Sequence, residues 1–561
     1  MFIVVYYSMV FVELLSLFGR NPIKYYFRSY HGSITCLFGV KNMKNNYKVL
    51  TENYYQNILI VLKSLLVGGA VGGVVVLYRI TLNQAEQFSF NMYDFLRNNL
   101  KILPIAVIIL CLAGYFAGYL VSKDKMISGS GIPQLEGIMR GYFRKRKSWI
   151  HTLCCKFVGG TICIGGGLSL GREGPSIQLG ACVAEGLGKK IGKGRLERKT
   201  LMASGASAGL AAAFNAPLAG VVFALEEIFK YFSPVILLSL MSAAVAADFV
   251  SKEVFGMSPI FHFEILKVIP LKQYWLLIFL GILLGGMGAL YNYVLLKAKK
   301  LYSKLIFLNV KTKIIIPFVA AGVLGLVFPI VLGGGHRIVE ELTLKNGIMF
   351  LLMIFTIKLI FSMVSFGSGA PGGIFFPLII LGATIGAVFA GISINYLSVD
   401  QDLYNNFIIL AMAGFFTAIV RAPITGIVLI MEMTGSFTHI LPLTVVAVIA
   451  YVVADLLKSP PIYEALLENL LLSENEEDIK ESSKKIVVEF IVKQDSEFAN
   501  QQVKSIKWPG KSLLVGVKQG DRSIIPKGDT IVKEGDYLTV LTDVNSESRI
   551  KEILDKMNEA K

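Results

Sequence analysis

Long apolar stretches separated by short polar loops make up most of this 561-residue chain. A helix needs about 20 apolar residues to cross a bilayer, and stretches near that length recur between residues 55 and 470. The pattern predicts spans at Ile58–Leu77, Ile102–Val121, Tyr274–Leu296, Ile314–Leu332, Ile348–Val364, Phe375–Tyr396, Phe407–Met433 and Ile440–Leu457. A soluble protein with one core would not need so many, so we expect an all-α polytopic membrane protein with a membrane domain over residues 43–472.

The pattern changes after the last apolar stretch. Residues 473–485 are polar and rich in Glu, Ser and Lys, which is typical of a linker. The runs that follow are short and rich in β-branched residues, at Lys485–Val492, Ser512–Val517 and Tyr537–Leu541. They predict a small α+β domain over residues 486–561.

The first 42 residues form a leader of doubtful status. Met1–Gly19 is apolar, but it contains Glu13 and lacks a basic start, so it makes a poor signal peptide. Met43 opens a polar segment that leads into the first good span. Either the native chain starts at Met43, or the leader is an extra membrane-associated helix.

The formal net charge of +16 is concentrated in short loops between apolar stretches. The clearest clusters are Arg140–Lys147, Lys189–Lys199 and Lys297–Lys304. The positive-inside rule places such loops in the cytoplasm, and no nucleic-acid-binding motif accompanies the charge. The six cysteines lack metal-ligand spacing, so we expect neither a metal site nor a cofactor.

The membrane domain contains an internal repeat. Ala216-Pro217, Gly220 and Glu226 are matched 206 residues later by Ala422-Pro423, Gly426 and Glu432. A glycine-rich break precedes each copy. Paired Gly/Pro interruptions in the two halves of a membrane protein indicate a binding site near the bilayer midplane.

Three segments place glycine before proline at the start of an apolar run. They are GSGIP at 129–133, GREGP at 171–175 and GGIFFP at 372–377. Glycine permits a sharp turn and proline fits the first helical turn, so each predicts a helix that begins within the membrane. Helix N-termini carry partial positive charge and free N–H donors, and three together would bind a small anion. A single break of this kind would more often serve close helix packing.

Acidic residues in these segments are candidate proton carriers. An intramembrane carboxylate such as Glu173 is costly and is by default a functional hypothesis. At an anion site its charge would compete with the substrate, so it could act as both gate and proton carrier. Glu226 and Glu227 follow Pro217 by nine and ten residues, and either could be a second proton stop or an interfacial helix end.

With these motifs in this order, the chain resembles the CLC family of chloride channels and transporters. The segment FNAPLAGVVFALEE at 214–227 and the Pro461-Ile-Tyr463 element also match. The resemblance implies a homodimer in which each subunit has two inverted halves and its own pathway. It assigns hydroxyls of Ser130 and Tyr463 and backbone amides of Ile374 and Phe375 to chloride.

The resemblance also assigns the carboxylates. Glu173 matches the family's external gating glutamate, and Glu227 matches the internal proton-transfer glutamate of its exchangers. Ser130 argues against the fluoride- and nitrate-preferring relatives. Two departures are Gln134, where many members have Glu, and Phe376, which replaces a small residue and could narrow the pathway.

The tail resembles the C-terminal ligand-binding domain of regulators of potassium transport. The similarity is carried by the strand pattern and by the runs Ile524–Asp529 and Lys533–Tyr537. Basic residues interleaved with apolar ones suit a cyclic dinucleotide such as cyclic di-AMP, and we assign its site to Ile524, Ile525, Pro526 and Lys527. The alternative is a β-rich stabilising appendage.

These observations favour chloride/proton exchange in the cell membrane, with the tail in the cytoplasm. A passive chloride channel is the alternative on the same fold. An enzyme or nucleotide-driven pump is not expected, because GGGLSLGREGPS at 165–176 lacks the ending of a phosphate loop. A receptor that senses ligands through the tail would not need Ser130 or Glu173 for anion flux.

Overall fold

The computed structural model describes most of the membrane domain and most of the tail. The described residues are 43–143, 146–230, 232–305, 307–473, 485–494, 496–510, 512–519, 522–543, 550, 553–554 and 556–558. The leader before Met43 and residues 474–484 of the predicted linker lie outside them.

Helices dominate the membrane domain. The helices of its first half are α1 Met43–Asn98, α2 Leu103–Lys123, α3 Ile132–Arg140, α4 Trp149–Gly165, α5 Glu173–Ile191, α6 Arg195–Phe214, α7 Pro217–Phe223 and α8 Pro234–Phe255. The helices that follow are α9 Tyr274–Lys304, α10 Val310–Lys313, α11 Ile315–Val327, α12 His336–Glu340, α13 Ile348–Gly367, α14 Phe375–Leu397, α15 Tyr404–Val420, α16 Pro423–Thr434, α17 Ile440–Leu456 and α18 Ile462–Ser473.

Eight helices of the described chain are long and apolar enough to cross a membrane, so this is a multi-pass membrane protein. One of them, Pro234–Phe255, was not among the predicted spans. The helices α14 and α15 are almost wholly buried within the protein, whereas α2 and α9 expose large apolar side chains such as Ile108 and Phe279. The inner helices are therefore shielded by helices suited to contact lipid.

The predicted single span Phe407–Met433 is wrong. The structure divides it into α15 and α16 at Arg421, whose φ of 70° ends the first helix, and Pro423, which opens the second. The Arg421 guanidinium donates to the carbonyls of Tyr451 and Ser459 at 2.5 and 2.9 Å. The charged side chain of Arg421 thus binds carbonyls near and beyond the end of α17. The pattern of apolar residues does not reveal this break between two helices.

The two halves repeat one another in local geometry. Asn215 and Arg421 are 206 residues apart, and both have left-handed backbone, with φ of 52° and 70°. Each precedes an Ala-Pro pair that opens a short helix, α7 or α16. The internal repeat is therefore present in backbone conformation as well as in sequence.

Strands are the main regular elements of the described tail. They are β1 Lys485–Ile491, β2 Gln501–Gln502, β3 Leu513–Gln519, β4 Arg522–Ile524, β5 Ile531–Val532 and β6 Tyr537–Asp543. An antiparallel sheet has the order β1-β6-β3-β4, and β2 pairs with β5. Alternate residues such as Leu538 and Val540 are buried in one apolar cluster with Ile550 and Leu554, as expected of a small α+β domain.

Candidate functional site: an anion site at three helix N-termini

Backbone hydrogen bonds join the three glycine-rich loops that sequence analysis singled out. Gly171 and Gly373 exchange N–H···O bonds of 2.7 Å in both directions. The Gly372 amide donates to the Gly129 carbonyl at 3.0 Å. Because each loop opens a helix, the N-termini of α3, α5 and α14 meet at one place. The three helix starts that sequence analysis considered as a group are therefore adjacent in the structure.

Close packing explains the glycines at this junction. A Cβ atom added to Gly174 would lie 2.8 Å from the Ser130 Cβ, and one added to Gly373 would lie 3.2 Å from the Gly174 nitrogen. Gly129 and Gly131 have φ of 64° and 90°, a conformation that residues with a Cβ rarely adopt. A larger residue at these positions would push the helix ends apart.

Ser130 lies in the α3 loop and is buried. Its Oγ accepts a bond of 3.3 Å from the Ile132 amide, which leaves the hydroxyl hydrogen free to donate. Gln134, the residue that departs from the family pattern, donates to the Ser128 carbonyl at 2.7 Å. It therefore supports the loop and does not compete for the anion.

Ile374 and Phe375 form the first turn of α14, where backbone N–H groups lack partners within the helix. Both side chains are buried, and the ring centroids of Phe375 and Phe416 are 4.7 Å apart. The Tyr463 side chain, at the start of α18, is fully buried, and its hydroxyl has no hydrogen-bond partner among the described residues. Its unused O–H is available to an anion.

Glu173 is the first residue of α5 and is fully buried. A Cβ atom added to Gly171 would lie 2.5 Å from its Oε2 and 3.1 Å from the Phe376 amide nitrogen, so the carboxylate lies beside the first turn of α14. Within the described part of the chain neither Glu173 oxygen makes a well-aligned hydrogen bond, although its own backbone amide and that of Phe376 lie close by. Its nearest cation is Arg172, with 3.8 Å between Nε and Oε1.

A small cavity of about 20 Å³ adjoins Glu173. Arg172, His336, Phe376 and Glu86 line it, and the His336 and Phe376 ring centroids are 4.2 Å apart. A volume of this size holds about one water molecule. The bulky Phe376 thus lies beside Glu173, and the narrowing of the pathway expected from its size stays a prediction.

Glu226 and Glu227 are adjacent in sequence but have different environments. They lie in a π-helical turn, Ala224–Phe229, that continues from α7. Glu226 accepts hydrogen bonds from the Ile424 and Thr425 amides at 3.3 and 2.9 Å. Glu227 is buried, and its Oε1 has no hydrogen-bond partner in the residues that the structure covers. Only Glu227 therefore has a carboxylate oxygen that is not committed to a structural role.

Comparison with known proteins shows the family. Residues 113–455 match the family model described as voltage gated chloride channel. Curated relatives include two proteins named H(+)/Cl(-) exchange transporter ClcA. That of Vibrio parahaemolyticus is 35% identical over 405 residues, covering 69% of this chain and 86% of the relative. That of Klebsiella pneumoniae is 33% identical over 393 residues, covering 67% and 80%.

A solved structure is also similar to this chain. The crystal structure of a slow cyanobacterial Cl⁻/H⁺ antiporter has a TM-score of 0.69 at 31% identity, covering 74% of this chain and 99% of that one. The chain belongs to the CLC family. Residues 487–555 match a second model, the TrkA-C domain, so this CLC protein carries a TrkA-C domain after its membrane domain.

Sequence reasoning missed two buried lysines of this CLC protein. Lys156 donates to the carbonyls of Ile127 and Gly129 at 2.9 and 2.6 Å. Lys358 donates in the same way to Val331 and Gly333 at 2.9 and 2.7 Å. Because each lysine holds its loop by the carbonyls, it fixes the orientation of the peptide groups there.

The loop held by Lys358 is the second-half counterpart of the Ser130 loop. Gly333 and Gly335 repeat the positive φ values of Gly129 and Gly131, at 60° and 107°, 204 residues later. The following residue is His336, which sequence analysis did not single out. The spacing of the glycine pairs could have identified both the loop and His336.

Another group of charges lies near Glu227. Glu136 is buried and pairs with Arg140, and the Lys230 Nζ lies 3.6 Å from its Oε1. Lys230 also pairs with Glu464 at 2.5 Å. In the part of the chain that the structure describes, no cluster of His, Cys, Asp or Glu could hold a metal ion.

The predicted ligand residues of the tail lie around the end of β4. Ile524 ends this strand, Ile525 is 86% exposed, and the Lys527 amide donates to the Thr530 hydroxyl at 2.8 Å. The Lys504 amide donates to the Gly528 carbonyl at 3.0 Å. Two lysines and an exposed isoleucine are thus brought to one loop.

Proposed function

We propose that this CLC protein exchanges chloride for protons across the membrane, as a transporter and not as an enzyme. The observation that carries the proposal is the buried Glu173 carboxylate beside the N-terminal turn of α14, at the place where an anion would bind. The ClcA relatives and the cyanobacterial antiporter are named for the same exchange, which supports it.

Chloride would be held by partial charges and not by a full countercharge. Each helix N-terminus has about half an elementary charge, and the N-termini of α3, α5 and α14 meet at the site. Hydroxyl protons of Ser130 and Tyr463 add neutral donors. Such a site offsets part of the cost of removing the ion from water, and it binds weakly enough to let the ion leave.

The proton would travel through Glu173 and Glu227. Ionised, Glu173 occupies the helix N-termini and excludes an anion; protonated, it has no charge to hold it there and can move aside for chloride. Glu227 would pass protons between Glu173 and the other side of the membrane without touching chloride.

A passive chloride channel is the alternative on the same fold. The uncommitted Glu227 favours exchange, because a channel needs no inner proton carrier. The decisive experiment is the reversal potential of purified protein in vesicles, with a fixed chloride gradient and a varied pH gradient. We expect the reversal potential to move with the pH gradient. A potential set by chloride alone would contradict exchange.

We further propose a homodimer whose TrkA-C domains face the cytoplasm. The basic loops of the membrane domain support this orientation through the positive-inside rule. A dimeric membrane domain would bring two TrkA-C domains together. Crosslinking in vesicles and protease access to the tail in sealed, oriented vesicles test the two parts separately.

The TrkA-C domain is proposed to bind a cyclic dinucleotide, such as cyclic di-AMP, at the loop that contains Lys527. The nearby Lys504 and the exposed Ile525 suit a phosphate and a flat base, respectively. Calorimetry on the full-length protein should give micromolar binding that Lys527→Gln weakens. Lys493→Gln, an exposed lysine outside this loop, is the matched control.

Regulation requires more than binding. A ligand changes transport only if its affinity differs between two states of the transporter. Chloride flux should therefore change when cyclic di-AMP is present on the tail side, and should not change in the Lys527→Gln variant. Equal binding by both variants would contradict the assigned site, and binding without a flux change would contradict regulation.

A further inference from the structure

A cavity of about 1080 Å³ lies at the end of α9, outside the anion site. Its walls are the last turns of α9, the loop between α17 and α18, and the last turns of α18. Because α18 leads directly into the linker, the cavity is on the side of the membrane from which the TrkA-C domain emerges.

The charge of this cavity is uniformly positive. Five lysines line it, namely Lys297, Lys299, Lys300, Lys304 and Lys458, and its lining contains no carboxylate among the described residues. None of these five lysines forms an ion pair with another residue that the structure describes. Like charges gathered in one cavity repel each other, so this arrangement favours an anionic occupant.

The position of the lysines along α9 places them at the membrane surface. The exposed Trp275 is at the opposite end of the helix, and tryptophan favours the membrane interface. The 22 residues from Trp275 to Lys297 rise about 33 Å, close to the thickness of the hydrocarbon core. Lys297 and the lysines after it therefore lie at the level of the lipid headgroups.

Apolar side chains share the cavity with the lysines. Leu301 and Leu472 are 62% and 83% exposed, and Tyr293 and Leu457 are also exposed there. A small soluble anion would leave these surfaces in water. An amphiphile with an anionic head would cover them and neutralise the lysines at the same time.

We propose that this cavity binds an anionic phospholipid, with its phosphate among the α9 lysines and its acyl chains against the exposed leucines. Basic pockets between membrane helices are known to hold such headgroups in general. The helix α18 contains Tyr463 in its first turn and ends at the cavity, so a bound lipid would also fix the helix that connects the anion site to the tail. The proposal concerns binding and does not depend on chloride/proton exchange.

Native mass spectrometry of the full-length protein in detergent tests the proposal. The probes are phosphatidylglycerol, phosphatidylcholine and inorganic phosphate. The pocket variant replaces the exposed lysines of α9 with glutamine, as Lys297→Gln, Lys300→Gln and Lys304→Gln. Lys299 is left in place because it is half-buried and its Nζ lies 5.5 Å from the ring centroid of the buried Phe366, so its loss would disturb packing.

The control variant loses the same three charges outside the cavity, at Lys101, Lys272 and Lys345. We expect the native protein to bind phosphatidylglycerol in preference to phosphatidylcholine. The pocket variant should bind it about 10- to 100-fold more weakly, and the control variant should keep its affinity. If the triple variant does not fold, Lys300→Gln alone, compared with Lys272→Gln, should show a smaller loss in the same direction.

Three results would overturn the proposal. Equal loss in both variants would mean unspecific attraction to the overall positive charge. Inorganic phosphate that displaces phosphatidylglycerol at similar concentration would identify a soluble phosphate as the ligand. Third, the five carboxylates of residues 474–481 would be the occupant if replacing them with amides raised the affinity for phosphatidylglycerol. An unchanged affinity would support the lipid as the occupant.

Discussion

Glu226 and Glu432 cap helices in the opposite halves of the membrane domain. Glu226, at the end of the α7 segment, accepts from the Ile424 and Thr425 amides in the first turn of α16. Glu432, in α16, accepts from the Leu218 and Ala219 amides in the first turn of α7, at 3.1 and 2.8 Å. Donors and acceptors are each 206 residues apart, so the exchange of caps follows the internal symmetry.

Both caps should contribute to stability by similar amounts. Glu226→Ala or Glu432→Ala removes a carboxylate from a helix N-terminus, and losing such a cap costs about 1 kcal/mol. We expect each single variant to lower the thermal unfolding midpoint in detergent. A drop at one position without the other would show that the two caps are not equivalent in energy.

Because Glu226 caps α16, we expect its neighbour Glu227, and not Glu226, to carry the proton. Glu227→Gln should abolish proton transport with chloride binding nearly intact, because this carboxylate serves the proton alone. Glu226→Gln keeps an acceptor for the amides of α16 and should leave proton transport close to that of the native protein. Proton flux and chloride calorimetry measure the two effects. Loss of proton flux only in Glu226→Gln would reverse the assignment.

Glu173→Gln should uncouple chloride from protons. A neutral side chain cannot carry a proton and no longer competes with chloride for the helix N-termini, so chloride flux should persist. Glu86→Gln, in the same small cavity, is the matched control and should stay coupled. Proton uptake driven by a chloride gradient is the measurement, and uptake that survives in Glu173→Gln would contradict the gate.

Ser130→Pro should favour nitrate relative to chloride. Proline removes both the hydroxyl and a backbone N–H from the anion site, and serine at this position goes with chloride in the family. Ser130→Ala removes the hydroxyl alone and so separates the two effects. The ratio of chloride to nitrate flux in vesicles is the readout. An unchanged ratio in Ser130→Pro would mean that Ser130 is not a ligand.

The two buried lysines offer a symmetric comparison. Lys156→Met and Lys358→Met each remove two hydrogen bonds to buried carbonyls, and a hydrogen bond to a charged group contributes about 1.5–3 kcal/mol, so both should lower the unfolding midpoint. Only Lys156 supports the loop that contains Ser130, so chloride affinity should fall more in Lys156→Met. Calorimetric titration of chloride checks this. Equal affinities would show that Lys156 has only a structural role.

The helix starts of the anion site could be read from the sequence because glycine and proline act locally. Positive φ at Gly129 and Gly131 and the favourable placement of Pro133 are properties of those residues alone. The apolar stretches likewise indicated most of the spans. They failed at Phe407–Met433, because side-chain apolarity does not report the backbone turn at Arg421.

The sequence by itself determined the class of protein, the three loops and the pair of candidate inner carboxylates. The family resemblance pointed to Glu227, but only the tertiary structure shows that Glu226 and Glu227, which are chemically identical, have different environments. Successive residues of a helical turn point in different directions, so one carboxylate reaches the amides of α16 while the other turns into the interior. The partner of Glu226 lies in a segment some 200 residues away in the sequence. Only tertiary packing brings the two segments together.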